Sequence, residues 1–409
     1  MEAATAALFP GIGAQRVGMG KKLYDLFAVY RETLTEASDE AGEDFATLLF
    51  DEANKERLGR QEQAQLGTFV TSVAMYRTYA AESGMSFGHY AGHSLGEISA
   101  LCAAGALDFP SALTLVRRRA EIIREVAGTL GGTMMWVINL DAEYVTRVCR
   151  RLSGRGADLS VSAVDAPRQV AISGETALVG RAAGILEARG GMVYPLRMEG
   201  PYHSPMMRPA AERMAEVLAD VDIAVPRATV LSTVTGEAHP GGAGSRALLA
   251  DQLVSPVRWL TVQRALAAHH VRVAVEFGPG TVLSFLLEKS TDSIRPWPVQ
   301  RYDTPSALKD AMTLGADDFP GVVRRCLVVA AATPCRTQPS AADRERMDAA
   351  YAALQELDGR AGDGVPTGRA EVADALARTG GLLEAKGWHG AAKDGRLQGA
   401  LDGRLLPVP

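Results

Sequence analysis

Ser94 stands where a chain of this kind could place a nucleophile. It is the centre of Gly92-His93-Ser94-Leu95-Gly96, a G-x-S-x-G pentapeptide followed by Glu97. In such a motif a strand turns sharply into a helix. The flanking glycines let strand and helix approach, and the turn lifts the hydroxyl clear of the sheet with the next backbone N–H facing the same point. Turns of small residues also arise with no chemistry attached, so the motif alone leaves a nucleophile and a structural turn both open. A serine nucleophile needs a base. Of seven histidines, His203 is the best placed, in Gly200-Pro201-Tyr202-His203-Ser204-Pro205 between an expected strand and an expected helix. The competing reading is a histidine that caps or packs that helix. His93 adjoins the serine, but on so tight a turn its ring should point away, which predicts a structural role.

Arg119 is the second signal. On a helix expected over 111–126, Ala112, Leu115, Val116, Ile122, Ile123 and Val126 recur at helical spacing, and Arg119 falls inside that apolar stripe. Its charged neighbours Arg117, Arg118, Glu121, Arg124 and Glu125 fall on the opposite face. A guanidinium in apolar surroundings must find an anion, since a buried unpaired charge costs several kcal/mol. An internal Asp or Glu would serve, and so would a substrate carboxylate gripped by the planar fork. The loop Phe9-Pro10-Gly11-Ile12-Gly13-Ala14-Gln15 could turn backbone N–H groups toward an oxyanion. It lacks the lysine and spacing of a phosphate loop.

The elements that must position these groups alternate. Residues 6–127 read as strand and helix in turn, with helices over 21–38 and 65–82 and a short strand over 87–91, an α/β pattern. From Gly132 the order becomes β-α-β-β-α-β: strand 134–140, helix 143–152, strands 159–164 and 169–173, helix 177–189 and strand 192–198. That is the ferredoxin-like order. A helix over 205–219 and a strand over 271–277 then resume the α/β pattern. The expected fold is therefore α/β, a large subdomain of 1–130 and 199–304 interrupted by a small one of 131–198. A mostly helical extension, 305–409, follows, with helices over 343–357 and 369–386 and a flexible break at 359–366.

At 409 residues the chain exceeds one ordinary core, and 47% hydrophobic with 22% charged residues is the composition of a globular enzyme. A net charge of −5 with scattered signs argues against nucleic acid as a partner, and no apolar run is long enough for a membrane span. Met1-Glu2-Ala3-Ala4-Thr5 does not resemble a secretory signal, so a cytoplasmic protein is expected. Cys102, Cys149, Cys326 and Cys335 show no metal-site or disulfide spacing and are expected as reduced thiols.

Four separated segments resemble one family, the malonyl-CoA:acyl carrier protein transacylases and the acyltransferase domains of polyketide synthases. They are Phe9–Gln15 with Gly18-Met19-Gly20, Gly92–Glu97, His203-Ser204-Pro205-Met206-Met207, and Ser255-Pro256-Val257-Arg258-Trp259 with Glu276-Phe277-Gly278-Pro279-Gly280. The resemblance spans about residues 6–300 and implies an α/β-hydrolase-like core acting as a stand-alone, trans-acting enzyme of polyketide or fatty acid biosynthesis. It implies Ser94 as the acylated nucleophile in a Ser-His dyad with His203, whose ring a backbone carbonyl at Gln252 orients, and an oxyanion hole from the N–H groups of Leu95 and Ile12. It also implies that Arg119 grips a substrate carboxylate, that Gln65 makes a polar contact near the acyl group, and that Tyr202, a large aromatic, favours malonyl over methylmalonyl. The substrate would be malonyl-CoA and the partner an acyl carrier protein or polyketide synthase carrier domain bearing phosphopantetheine, with no permanently bound cofactor and no metal. The family commonly has glutamine where this chain has Ile12, which leaves the backbone amide in place but opens the identity of the acyl group. Transfer of an unusual acyl unit between two carrier proteins, or an editing thioesterase using the same pair, are the alternatives.

Overall fold

A computed structural model describes residues 5–153, 158–196, 200–313, 318–362, 365–402 and 404. Its strands in chain order are β1 (Thr5–Phe9), β2 (His89–Gly92), β3 (Gly132–Ile138), β4 (Leu159–Ala166), β5 (Gln169–Glu175), β6 (Met192–Pro195), β7 (Thr229–Leu231), β8 (Val273–Glu276) and β9 (Arg295–Pro298). They form a parallel sheet in the order β7-β2-β1-β8-β9 and an antiparallel sheet in the order β4-β5-β3-β6. The fold is thus mixed α/β, with the two sheets built from the two kinds of sequence pattern.

Strands of the parallel sheet are covered on both faces, which is why Ala6-Ala7-Leu8-Phe9 is an unbroken apolar run, fully buried. Helix Gln61–Ser83, crossing from β1 to β2, is likewise buried over most of its length. Glu276, the polar end of β8, keeps its buried carboxylate satisfied by accepting from the Leu283 and Ser284 backbone N–H groups, at 2.9 and 2.7 Å, where helix Val282–Ser290 begins. The antiparallel sheet has its own core of Val137, Val145, Val170, Ile172, Val179 and Leu186. It is tied to the larger part by Val257, whose N–H donates to Ser162 O and whose carbonyl accepts from Val164 N, both at 2.9 Å.

Helices Phe319–Ala332, Ala341–Gly362, Arg369–Ala385 and Gly390–Ala400 enclose a third core. The helix expected over 343–357 runs five residues further, into the expected break, whose Asp363 and Gly364 lie outside the described residues, as do Arg197 and Met198 of the strand expected to reach 198. The helix expected over 21–38 is two helices, Lys21–Leu26 and Ala28–Ala41, separated by Phe27 in extended backbone. Leu23, Tyr30, Leu34 and Ala37 all bury on the same core, so the apolar rhythm continues across a break of one residue. Among the described residues no helix is long and apolar enough to cross a membrane.

Candidate active site

Ser94 occupies the turn between β2 and helix Gly96–Ala103 with φ of 51°, in the left-handed region that side-chain-bearing residues rarely enter. Its flanking glycines are required by contact. A Cβ on Gly92 would come within 1.9 Å of the Gly96 carbonyl, and one on Gly96 within 2.0 Å of Phe9 O. The turn is therefore pressed between β1 and its own helix, with the serine in strained backbone. His203 is also left-handed, at φ 55°, on a turn closed by a 2.6 Å bond from Ser204 Oγ to Pro201 O.

These two turns bring Ser94 Oγ to 2.8 Å from His203 Nε2 across 109 residues of sequence. On the other side of the ring Nδ1 lies 2.8 Å from the backbone carbonyl of Gln252. A carbonyl only accepts, so Nδ1 carries the proton and Nε2 offers its lone pair to the serine hydroxyl. Burial, and then the charge of Arg119, push the imidazole pKa down to about 3. The ring is neutral at physiological pH, ready to take a proton.

Arg119 is 5% exposed and donates through Nη1 to Gln65 Oε1 at 2.5 Å, and through Nη2 to Ser94 Oγ at 3.1 Å and Gln252 Oε1 at 3.2 Å. All three acceptors are neutral. Burial pulls its pKa down to about 10, against the favourable charges of Tyr202 and Glu97, and leaves it a cation. The carboxylate it senses is one amide away. Gln252 Nε2 donates to Glu97 Oε2 at 2.8 Å and to Ser94 O at 3.1 Å. Glu97, fully buried, also accepts from Thr233 N at 3.1 Å and pairs with His239 Nε2 at 2.7 Å. Burial alone would raise the Glu97 pKa, but the His239 and Thr233 bonds outweigh it and hold the group ionised. Gln252 thus orients His203 with its backbone and joins Arg119 to Glu97 with its side chain.

Ser94, His203, Arg119, Gln65 and Tyr202 line a cavity of about 530 Å³ whose far wall, including Trp136 and Ala163, comes from the antiparallel sheet. Ile12 and Leu95 line it as well, and among the described residues their amide N–H groups donate to no protein acceptor. Tyr202 is buried and hydrogen-bonded through its hydroxyl to Gln61. Gln65 Nε2 is buried without an acceptor. His93 turns aside to Asp165, at 2.9 Å, and packs edge-on to Trp259. Among the described residues no group of His, Cys, Asp or Glu is placed to hold a metal ion. Sequence reasoning did not single out Glu97 for this role, nor His239, Gln61 or Asp165. Only Glu97 carried a signal, its place at the end of the serine motif.

A strained serine hydroxyl on a neutral imidazole, beside a cation with spare donors and two free N–H groups, is an arrangement suited to passing a carboxylated acyl group through a serine ester. Residues 7–316 match the acyl transferase domain family, and the chain belongs to it. The malonyl CoA-acyl carrier protein transacylase of Bacillus subtilis strain 168 is 36% identical over 285 residues, 69% of this chain and 89% of that protein. Among solved structures, FabD from Acinetobacter baumannii superposes with a TM-score of 0.71 at 31% identity, over 76% of this chain and 98% of its own. A malonyl-transacylase solved in complex with a type II polyketide synthase acyl-carrier protein superposes with a TM-score of 0.70 at 33% identity, over 74% of this chain and 97% of that one.

Proposed function

We propose that this chain is a malonyl-CoA:acyl carrier protein transacylase. Its donor substrate is malonyl-CoA, and its acceptor is the phosphopantetheine thiol of an acyl carrier protein or polyketide synthase carrier domain. The observation that carries this reading is the cation beside the nucleophile: Arg119 Nη2 is 3.1 Å from the same Ser94 Oγ that His203 meets at 2.8 Å.

Ser94 Oγ attacks the thioester carbonyl as its proton passes to His203 Nε2. The Leu95 and Ile12 N–H groups receive the oxyanion. Collapse breaks the C–S bond, and the CoA sulfur leaves with the proton from the imidazolium. The carrier thiol then gives its proton to His203, attacks the ester and restores the serine. A neutral orienting carbonyl stabilises the imidazolium less than a carboxylate would, which suffices because a thiolate needs less protonation than an amine. Arg119 grips the free malonyl carboxylate, with Gln65 Nε2 as a further donor, and holds the ester for the incoming thiol. Tyr202, fixed by Gln61, supplies bulk that disfavours an α-methyl branch.

The parallel sheet and its helices, 1–130 and 199–304, form the α/β-hydrolase-like core. Residues 131–198 are a ferredoxin-like subdomain, a reading supported by the order β4-β5-β3-β6, and 305–409 form a helical extension. Four free thiols suit a cytoplasmic setting, where CoA thioesters are made. The test is intact-protein mass spectrometry after incubation with malonyl-CoA, with and without holo carrier protein. A malonyl adduct on Ser94 and a loaded carrier are expected. Free malonate with no carrier loading would replace transfer by hydrolysis.

A further inference from the structure

We propose that the joint between the C-terminal helices and the back of the parallel sheet is a binding site for a phosphate-type oxyanion, formed by Arg272, Arg336 and Arg396 around Trp388. The guanidinium carbons of Arg336 and Arg396 stand 3.9 and 3.8 Å from the Trp388 ring centroid. Both distances run to one centroid, so the two guanidinium carbons stand no more than about 8 Å apart, near enough for both cations to face one oxyanion at the ring edge. The indole itself is held by a 2.9 Å bond from Nε1 to Pro334 O. The ring on which both forks rest is therefore held in place before any ligand arrives.

Their donors are unspent. Among the described residues the Arg336 guanidinium makes no hydrogen bond or ion pair. Arg396 makes one long bond, to Thr333 Oγ1 at 3.4 Å, while its Nε is buried with no acceptor. Arg272 spends Nε on Gly395 O at 3.1 Å and Nη1 on the Val271 and Ser293 carbonyls, which leaves Nη2. No carboxylate pairs with any of the three among the described residues. The groups instead oppose one another. Beyond the effect of burial, Arg396 lowers the pKa of Arg272, Arg336 lowers that of Arg396, and all three lower that of His270.

This repulsion straddles a tight joint. Arg272 and His270 precede β8, whereas Arg336 and Arg396 lie beyond residue 316, where the match to the family ends. Gly395 packs so closely that a Cβ there would come 2.3 Å from the His270 Cβ. A bound oxyanion turns like-charge repulsion across the joint into attraction. The site is separate from the acyl cavity. In the parallel sheet Ser94 follows the C-terminal end of β2 and Arg272 precedes the N-terminal end of β8, so about 13 Å of strand lies between their levels.

The test is titration calorimetry and thermal unfolding of the full chain with inorganic phosphate and, separately, adenosine 3′,5′-bisphosphate. Ionic strength is held constant with chloride. At ten times Kd the Tm should rise by about 2 °C, with no rise in chloride. Response to both anions assigns a phosphate-sized ligand, and response to the bisphosphate alone a nucleotide ester. The double variant Arg336→Ala/Arg396→Ala should lose the response and keep acyl transfer within about twofold. No response in the natural protein, or an equal one in the double variant, overturns the site. Should circular dichroism show the double variant misfolded, Arg336→Gln, at an exposed position, should bind at least fivefold more weakly, and unchanged affinity overturns it equally.

Discussion

Two buried histidines stand on opposite sides of Gln252, and they are chemically alike but differently furnished. His203 faces a serine hydroxyl on one nitrogen and a neutral carbonyl on the other, with Arg119 nearby. His239 faces the Glu97 carboxylate on one nitrogen and the Ser245 hydroxyl on the other, and it does not line the acyl cavity. In the first site burial and the charge of Arg119 outweigh the Gln252 carbonyl and keep the ring neutral with its lone pair available, on a strained turn that opens to the pocket. In the second the partners close around one another and stabilise the wall. The difference teaches that a histidine becomes a base here by being denied a carboxylate, while the carboxylate that is present acts at one remove, through Gln252, on the cation that the substrate must find.

Exchanging the two environments should give opposite losses. His203→Ala is expected to lower acyl transfer by about 10³-fold or more with little change in Tm, and Ser94→Ala to abolish the covalent adduct in intact mass measurements. His239→Ala leaves the buried Glu97 without its ring partner, and unfolding in urea should show a loss of about 3 kcal/mol while Ser94 still acylates in the folded fraction. If both histidine variants lost stability equally and neither lost chemistry selectively, the contrast would be void. Arg119→Ala comes next. Malonyl transfer should fall by about 10²-fold, the worth of a charge-assisted hydrogen bond or two, while transfer of an uncharged acetyl group is spared. Radiolabelled donors compared side by side read this out, and equal losses would show that Arg119 serves the fold rather than the carboxylate.

The two sites were not equally legible in the sequence. Ser94 announces itself because its strain needs glycines two residues to either side, and Arg119 because a charge interrupts an apolar stripe. Both are local patterns. The Glu97–His239 pair joins positions 142 apart with no periodicity to link them, so only the fold could reveal it. Gln252, Gln65 and Tyr202 came from family resemblance alone, since an isolated glutamine or tyrosine has no pattern that marks it. The alternation of strand and helix gave β1, β2 and β8 of the parallel sheet and the four strands of the antiparallel one, but not the edge strands β7 and β9. It missed the break at Phe27, and it missed helix Phe319–Ala332, whose run Val328-Val329-Ala330-Ala331-Ala332 carries too little periodicity to distinguish a helix from a buried strand.

The smallest expected effect is also the one that isolates His203. An ordinary histidine titrates near 6.5, and a base with that pKa would lose activity as the pH fell below it. With the folded pKa held down to about 3, single-turnover acylation of Ser94 should stay level from pH 8 to about 5, with no inflection at 6.5. Stability carries the same signature with a defined sign. Between about 3 and 6.5 the unfolded chain binds a proton at this position that the folded chain does not, so unfolding free energy should rise with pH across that window and flatten above it. His203→Ala removes that contribution. The variant's stability should therefore depend less steeply on pH between 4 and 6.5 than the natural protein's, whereas His203→Gln should match the alanine variant, because neither side chain titrates. An acylation profile that bends at 6.5, with a stability slope unchanged by either variant, would mean that the imidazole is solvated and protonated in the working enzyme, and the contrast with His239 would fail at its centre.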